Sequence, residues 1–67
     1  MELTINGKTV ILPEEATTLS RFLEAKGLNP LMLVVEYNGE ILARDTYDAV
    51  QLQPGDVLEI VQMMAGG

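Results

Sequence analysis

The 67-residue chain is long enough for one domain near the lower size limit for a stable core, and it contains no cysteine and no histidine. These absences exclude disulfides, thiolate nucleophiles, cysteine or histidine metal sites and imidazole acid–base chemistry. A hydrophobic fraction of 48% predicts a folded chain, and the net charge of −6 disfavours nucleic acid and anionic membranes as partners.

The first predicted element is a β-hairpin. The runs "ELTI" and "TVIL" flank "NGK". Asn6-Gly7 is a strong hairpin signal because both residues tolerate the positive φ of a type I′ turn. Alternation predicts that Leu3 and Ile5 share one face of the first strand.

A short amphipathic helix is predicted next, from Leu19 to Lys26. Thr17 or Thr18 can cap its N-terminus, and Gly27 can end it in the left-handed conformation. Its apolar side chains fall at helical spacing and are predicted to be buried in the core: Leu19, Phe22 and Leu23.

A second hairpin is predicted in "LVVEYNGEILA", where Asn38-Gly39 repeats the first turn signal. The following segment, "RDTYDAVQLQPGD", has no sustained period. We expect its apolar residues to cover one end of the core, and "QPGD" reads as a tight turn. These apolar residues are Tyr47, Val50 and Leu52.

The last predicted strand is "VLEIVQMM", whose alternation places Leu58 and Ile60 on one face and Val57, Val61 and Met63 on the other. The order of hairpin, helix, hairpin and final strand predicts an α+β fold. In this fold a mixed sheet of about four to five strands packs on one helix.

One helix can cover only one face of such a sheet, so the other face is predicted to be open. An exposed apolar patch on a small protein usually marks an interaction site, and methionine adapts to more than one partner. Val57, Val61 and Met63 are therefore predicted to form a partner-docking face that leads into the tail. The alternative is that the loop of residues 44–53 covers this face as a second, minor core.

The sequence finishes with Gly66-Gly67, a pair that chance alone would place there in roughly 0.5% of chains. Glycine enters narrow sites and adopts backbone angles that other residues resist, and it leaves the terminal carbonyl unhindered. The pair therefore predicts chemistry at the terminal carboxylate. The alternative is an incidental flexible end.

Taken in order, "LTINGK", "VVEYNGEILAR", "LQPGDVLEIV" and Gly66-Gly67 make the sequence resemble the ubiquitin-like β-grasp sulfur carriers of the ThiS/MoaD type over essentially its whole length. The resemblance implies a ubiquitin-like β-grasp fold in a single domain over residues 1–67. Residues 1–63 would form the folded body, and a flexible reactive tail would follow, made of Met64, Ala65, Gly66 and Gly67.

The resemblance also implies a function. An E1-like, ThiF-type adenylyltransferase would use ATP and Mg²⁺ to adenylate the Gly67 carboxylate. A donor such as a cysteine desulfurase would supply the sulfur of a thiocarboxylate, and a ThiG-type thiazole synthase would accept it in thiamine thiazole formation. The chain itself would bind no cofactor and contribute no catalytic residue, so it would be a protein cosubstrate.

Two departures from the family pattern leave alternatives open. Met63-Met64-Ala65 precedes the terminal glycines where many members have "VGGG" or a similar tail, and Tyr47 stands where the family often has tryptophan. A related MoaD-like carrier for molybdopterin synthesis, or for another thiocarboxylate pathway, would share the fold and the tail. A ubiquitin-like protein modifier would use the same adenylate, whereas a plain binding module would need no tail.

The remaining expectations concern location and metal binding. The longest apolar run is Leu31 to Val35, and no secretion signal begins the sequence, so we expect a cytoplasmic protein. We also expect the protein to be monomeric on its own. The acidic stretches around Glu14-Glu15 and Asp45 to Asp48 lack the converging oxygens of a hard-cation site. No metal site is therefore predicted.

Overall fold

The computed structural model describes residues 1–13 and 16–63, which form one sheet, one α-helix and two short 3₁₀ helices at Pro30–Met32 and Arg44–Thr46. In chain order the elements are β1 (Glu2–Ile5), β2 (Lys8–Ile11), α1 (Leu19–Ala25), β3 (Leu33–Tyr37), β4 (Glu40–Ile41) and β5 (Val57–Gln62). The five strands lie in the order β2-β1-β5-β3-β4. This arrangement confirms the predicted α+β fold.

The last strand, β5, occupies the centre of the sheet. It runs parallel to β1, with Thr4 opposite Val57, and antiparallel to β3, with Leu33 opposite Gln62. The sheet is therefore mixed, as predicted. Because β5 lies between β1 and β3, it connects the first hairpin to the second hairpin in one sheet.

Both hairpin turns have the geometry that their Asn-Gly pairs predict. The φ angles are 52° and 79° at Asn6 and Gly7, and 49° and 87° at Asn38 and Gly39. Two successive positive φ values are those of a type I′ turn, whose twist matches that of the flanking strands. The two turns thus set the registers of the β1–β2 and β3–β4 pairs.

The helix α1 has the predicted start and stop signals. The Thr18 hydroxyl accepts the backbone N–H of Arg21, which caps the N-terminus. At the other end Gly27 is left-handed, with a φ of 70°, and the Leu28 N–H donates to the Leu23 carbonyl at 2.9 Å. These contacts form a Schellman motif, and the helix ends at Ala25, one residue before the predicted limit.

The core lies between α1 and one face of the sheet. It joins apolar side chains from the helix, from β1, β3 and β5, from the residue that follows β2, and from the segment after the second hairpin. Fully burying one such side chain contributes about 1.5–3 kcal/mol. The buried residues are Leu3, Leu12, Leu19, Phe22, Leu23, Leu33, Val35, Tyr47, Leu52, Leu58 and Ile60.

The segment after the second hairpin packs where the sequence predicts. Tyr47 and Leu52 are buried, and Val50 is partly buried against them. Within the described residues, no helix combines the length and apolarity needed to cross a membrane.

Candidate functional site

The central strand β5 is held by the side-chain amides of both hairpin turns. The Ile60 N–H donates to Oδ1 of Asn6 at 2.7 Å, and Asn6 Nδ2 donates back to the Ile60 carbonyl at 3.2 Å. At the start of the strand the Val57 N–H donates to Oδ1 of Asn38 at 2.8 Å. An asparagine side-chain amide has both a donor and an acceptor, as a peptide group does. The two turn asparagines therefore also fix the position of β5.

A buried carboxylate anchors the start of β5. Asp56 is only 8% exposed. Its Oδ2 accepts the Tyr37 hydroxyl and the Gln53 N–H, and its Oδ1 accepts Nδ2 of Asn38 at 3.2 Å. Three donors from two segments thus satisfy one carboxylate, which locks the turn before β5 against the second hairpin.

Asp56 was not among the residues predicted from the sequence to be functional. The available signal was local: an aspartate directly after a Pro-Gly turn can bond back to a backbone N–H of that turn. The other two donors come from the second hairpin, 18 and 19 residues away in sequence. Their convergence on Asp56 depends on the strand order and cannot be read from local pattern.

The phenol that contacts this carboxylate titrates abnormally. Burial, together with the hydrogen bond to Asp56 and its negative charge, raises the pKa of Tyr37 from 10.0 to about 12. The folded state therefore binds the phenolic proton more tightly than the unfolded state does. This contribution to stability is complete below pH 10 and is lost as the pH rises toward 12.

We expect the free energy of unfolding to decrease between pH 10 and pH 12 in the wild-type protein and to decrease less in Tyr37→Phe. Both proteins share every other titrating group, so the difference between their pH profiles isolates Tyr37. Urea unfolding at a series of pH values measures it. Parallel profiles for the two proteins would show that Tyr37 does not couple to folding.

The three predicted docking residues are exposed, and the residues that alternate with them in sequence are buried. Val57 is 46% exposed, Val61 is 61% exposed and Met63 is 50% exposed, whereas Leu58 and Ile60 are buried. The predicted alternation is therefore confirmed from Val57 to Val61, whereas Met63 lies beyond the end of β5 at Gln62, one residue outside the strand that the sequence predicts. Binding of a partner at these residues stays a prediction.

The loop of residues 44–53 does not cover this face, so the alternative of a second, minor core is wrong. The loop instead bonds to the start of the helix. The Leu19 N–H donates to the Val50 carbonyl and the Leu52 N–H donates to the Thr17 carbonyl, each at 2.9 Å. Its apolar side chains enter the main core, which leaves the opposite face of the sheet open.

The open face is wider than the sequence analysis predicted. Val34 lies directly opposite Val61 on β3, and Ile41 on the neighbouring β4 is 70% exposed. The signal for Val34 was the alternation around buried Val35, as on β5. Together with Val57 and Val61, these side chains form what we call the open-face patch: Val34, Ile41, Val57 and Val61.

The end of β5 is fixed beside a second group of apolar side chains. The Met63 N–H donates to the Met32 carbonyl at 2.7 Å, and Leu31 and Met32 are exposed beside it. This contact sets the point from which the chain continues toward residue 64. The predicted tail residues lie outside the described part of the chain: Met64, Ala65, Gly66 and Gly67.

Metal-binding side chains do not converge in the described parts of the chain. Within residues 1–13 and 16–63 no group of three or more aspartates or glutamates has the geometry to hold a metal ion. Glu14 and Glu15 lie outside the described residues. The features that stand out are thus the exposed apolar patch and the strand that leads from it to the tail.

Comparison with known proteins identifies the family. The family model "ThiS family" matches residues 1–67. The chain is 35% identical over 65 residues to "Sulfur carrier protein ThiS" of Bacillus subtilis (strain 168), covering 97% of this chain and 98% of the relative. It is also 37% identical over its full length to a segment of a "Thiazole synthase" of Magnetococcus marinus, of which it spans 20%.

Solved structures agree with these sequence matches. The crystal structure of the thiamine biosynthesis protein ThiS from Geobacter metallireducens superposes with a TM-score of 0.86 at 35% identity, covering 100% of both chains. The solution structure from the same organism gives a TM-score of 0.83, covering 100% of this chain and 88% of the other. The likeness confirms the predicted ubiquitin-like β-grasp fold. The chain therefore belongs to the ThiS family.

Proposed function

We propose that Gly67 is the residue on which this ThiS-family sulfur carrier of thiamine biosynthesis holds its sulfur, as a C-terminal thiocarboxylate. The observation that supports the proposal is the full-length family match, which extends through Gly66-Gly67. It is supported further by the 35% identity to the Bacillus subtilis sulfur carrier. The proposal requires a free carboxylate at Gly67.

The chemistry begins with an unreactive carboxylate. A carboxylate oxygen of Gly67 attacks the α-phosphate of ATP, pyrophosphate leaves, and an acyl adenylate forms. A sulfide donor then attacks the acyl carbon and AMP leaves, which yields the thiocarboxylate. With a persulfide donor the same attack gives an acyl disulfide, and a second thiol must reduce its S–S bond to release the product.

The adenylation machinery belongs to the partner in this proposal. ATP and Mg²⁺ are bound by an E1-like, ThiF-type enzyme, which neutralises the phosphate charge and orients the attack. The carrier supplies an unhindered glycine carbonyl that enters the nucleotide site. The carrier is thus a protein cosubstrate rather than an enzyme.

The sulfur acceptor in this proposal is a ThiG-type thiazole synthase. The thiazole synthase of Magnetococcus marinus contains a segment 37% identical to this whole chain. A carrier-like segment within a synthase polypeptide favours a direct encounter between the two activities. A cysteine desulfurase would supply the sulfur at the preceding step.

Intact-mass spectrometry tests the proposal. The protein is incubated with the adenylating enzyme, ATP, Mg²⁺ and a sulfur donor, and a second sample lacks ATP. We expect a mass increase equal to replacement of one oxygen by sulfur only in the sample that contains ATP. An unchanged mass in a mixture that actively transfers sulfur would contradict the proposal.

The open face is the proposed docking surface for the adenylating enzyme, because its residues Val57 and Val61 lie on the strand that leads through Met63 toward the tail. The double variant Val61→Ser and Met63→Ser should weaken binding roughly 10- to 50-fold, since two exposed apolar contacts are lost. Isothermal titration calorimetry measures the affinity, and thermal unfolding measures the stability, which should change little.

The control is Ala25→Ser, which places a serine at an exposed position of α1, on the other side of the sheet from the open face. It should leave the affinity unchanged. If the double variant unfolds while its folded fraction still binds with wild-type affinity, the two side chains serve stability and not docking.

Gly66→Ala tests the role of the penultimate residue. The added methyl group restricts the backbone and crowds entry to the nucleotide site, so the rate of pyrophosphate release should fall roughly tenfold or more. The melting temperature should not change, because the described core ends at Ile60 in sequence. Ala16→Gly, at an exposed loop position, is the control. Equal rates for wild type and Gly66→Ala would show that the glycine is incidental.

A further inference from the structure

Two glutamates face each other in the middle of the open face. Glu36 on β3 and Glu59 on β5 are directly opposite in the antiparallel register, and both are exposed. The neighbouring strand β4 has no positively charged residue opposite Glu36, because the residue at that position is Ile41. The open face therefore has a pair of like charges at its centre.

This pairing is unfavourable for the free protein. Residues directly opposite on antiparallel strands have Cβ atoms about 4.5–5.5 Å apart, and like charges at that separation destabilise a sheet. Apolar or oppositely charged residues at either position would remove the repulsion. The stability of the sheet therefore does not explain why both positions are glutamates.

The surroundings of the pair are apolar. On the same face of β5, Glu59 lies between Val57 and Val61, and the Val34–Val61 pair is next along the ladder. When a partner covers this patch, water is removed from around both carboxylates. Their burial without compensation would then be strongly unfavourable, and because two like charges lie together, a cation offsets them more completely than neutral donors do.

We propose that Glu36 and Glu59 are specificity-determining residues that together receive an arginine of the adenylating enzyme. This inference rests on the proposed function. A guanidinium has five N–H donors in a planar fork and is suited to bridge two carboxylates, whereas an ammonium is a single, strongly hydrated point charge.

The adenylating enzyme is the partner whose chemistry fits this charge. Its nucleotide site must attract ATP and the carboxylate of the carrier, so the rim of that site is expected to be basic. Glu59 lies four residues before Met63, about 13 Å along an extended strand. An enzyme that holds the tail therefore reaches the acidic pair with the same surface.

The test compares stability and binding in the same variants. Glu36→Gln, Glu59→Gln and Glu59→Lys are measured against Glu24→Gln, which removes one charge from an exposed position on α1. At low salt the three open-face variants should melt about 1–6 °C higher than wild type, because the repulsion is removed. Glu24→Gln should show neither this gain nor any loss of binding.

Binding should change in the opposite direction. Each open-face variant should bind the adenylating enzyme roughly tenfold more weakly or worse, with Glu59→Lys the weakest, and the differences should shrink at high salt. Wild-type affinity in the three variants, or an equal loss in Glu24→Gln, would overturn the proposal. A melting temperature that does not rise in any of the three would also overturn it.

Sulfur loading and binding affinity separate the terminal chemistry from recognition of the acidic pair. At saturating adenylating enzyme, the variants should still gain sulfur by intact mass, since their terminal chemistry is intact. If wild type gains no sulfur, the proposed function fails, while the affinities still decide whether the acidic pair is a recognition element.

Discussion

A protein that lacks Gly67 is expected to fold normally and to carry no sulfur. Removing the residue displaces the reacting carbonyl by one residue, and misplacement of a reacting group by even 1 Å lowers rates by about a hundredfold. Loading measured by intact mass should therefore fall by at least that factor. The melting temperature should match that of wild type, because the buried core lies between Leu3 and Ile60.

A semisynthetic protein with a C-terminal amide on Gly67 is the matched control. It keeps the full length but has no carboxylate to adenylate, so it should fail as completely as the truncated protein. If either protein acquires sulfur at the wild-type rate, the sulfur is held elsewhere and the terminal mechanism is wrong.

Asp56→Ala is expected to have the largest effect on stability. The substitution leaves the Tyr37 hydroxyl, the Gln53 N–H and one Asn38 amide hydrogen without their acceptor. We expect a loss of about 2–4 kcal/mol, a large fraction of the roughly 3–10 kcal/mol available to a domain of this size. Thermal unfolding should show a midpoint lower by roughly 10–25 °C.

Asp45→Ala removes the same chemical group from an exposed position and should leave the midpoint nearly unchanged. Similar stabilities for Asp56→Ala and Asp45→Ala would show that the buried network does not hold β5. Asp56→Ala should also return the pKa of Tyr37 toward its ordinary value, because two of the causes that raise it come from Asp56.

Local signals explain why so much of the fold was predictable. Asn6-Gly7 and Asn38-Gly39 specify their turns through backbone angles that few other residues adopt, and Gly27 ends the helix for the same reason. Alternation around Leu58 was sufficient to separate the buried face of β5 from the exposed one. Each of these features is encoded within a few neighbouring residues.

The features that were missed depend on pairing between distant segments. Asp56 meets Tyr37 because β5 lies beside β3, and Glu36 meets Glu59 because of the register between those strands. Hydrophobic pattern does not determine which strands are neighbours, since several strand orders bury the same residues. Alternation around Val35 signals that Val34 is exposed, but that Val34 lies beside Val61 and widens the open face depends on the strand order.

Tandem mass spectrometry tests directly whether Gly67 holds the sulfur. The protein is loaded by the adenylating enzyme with ATP and a sulfur donor, and its C-terminal peptide is then isolated. We expect the replacement of one oxygen by sulfur in the fragment that contains Gly67, and in no fragment that stops before it. Sulfur on an internal fragment, or a loaded protein whose C-terminal fragment has its unmodified mass, would contradict the account.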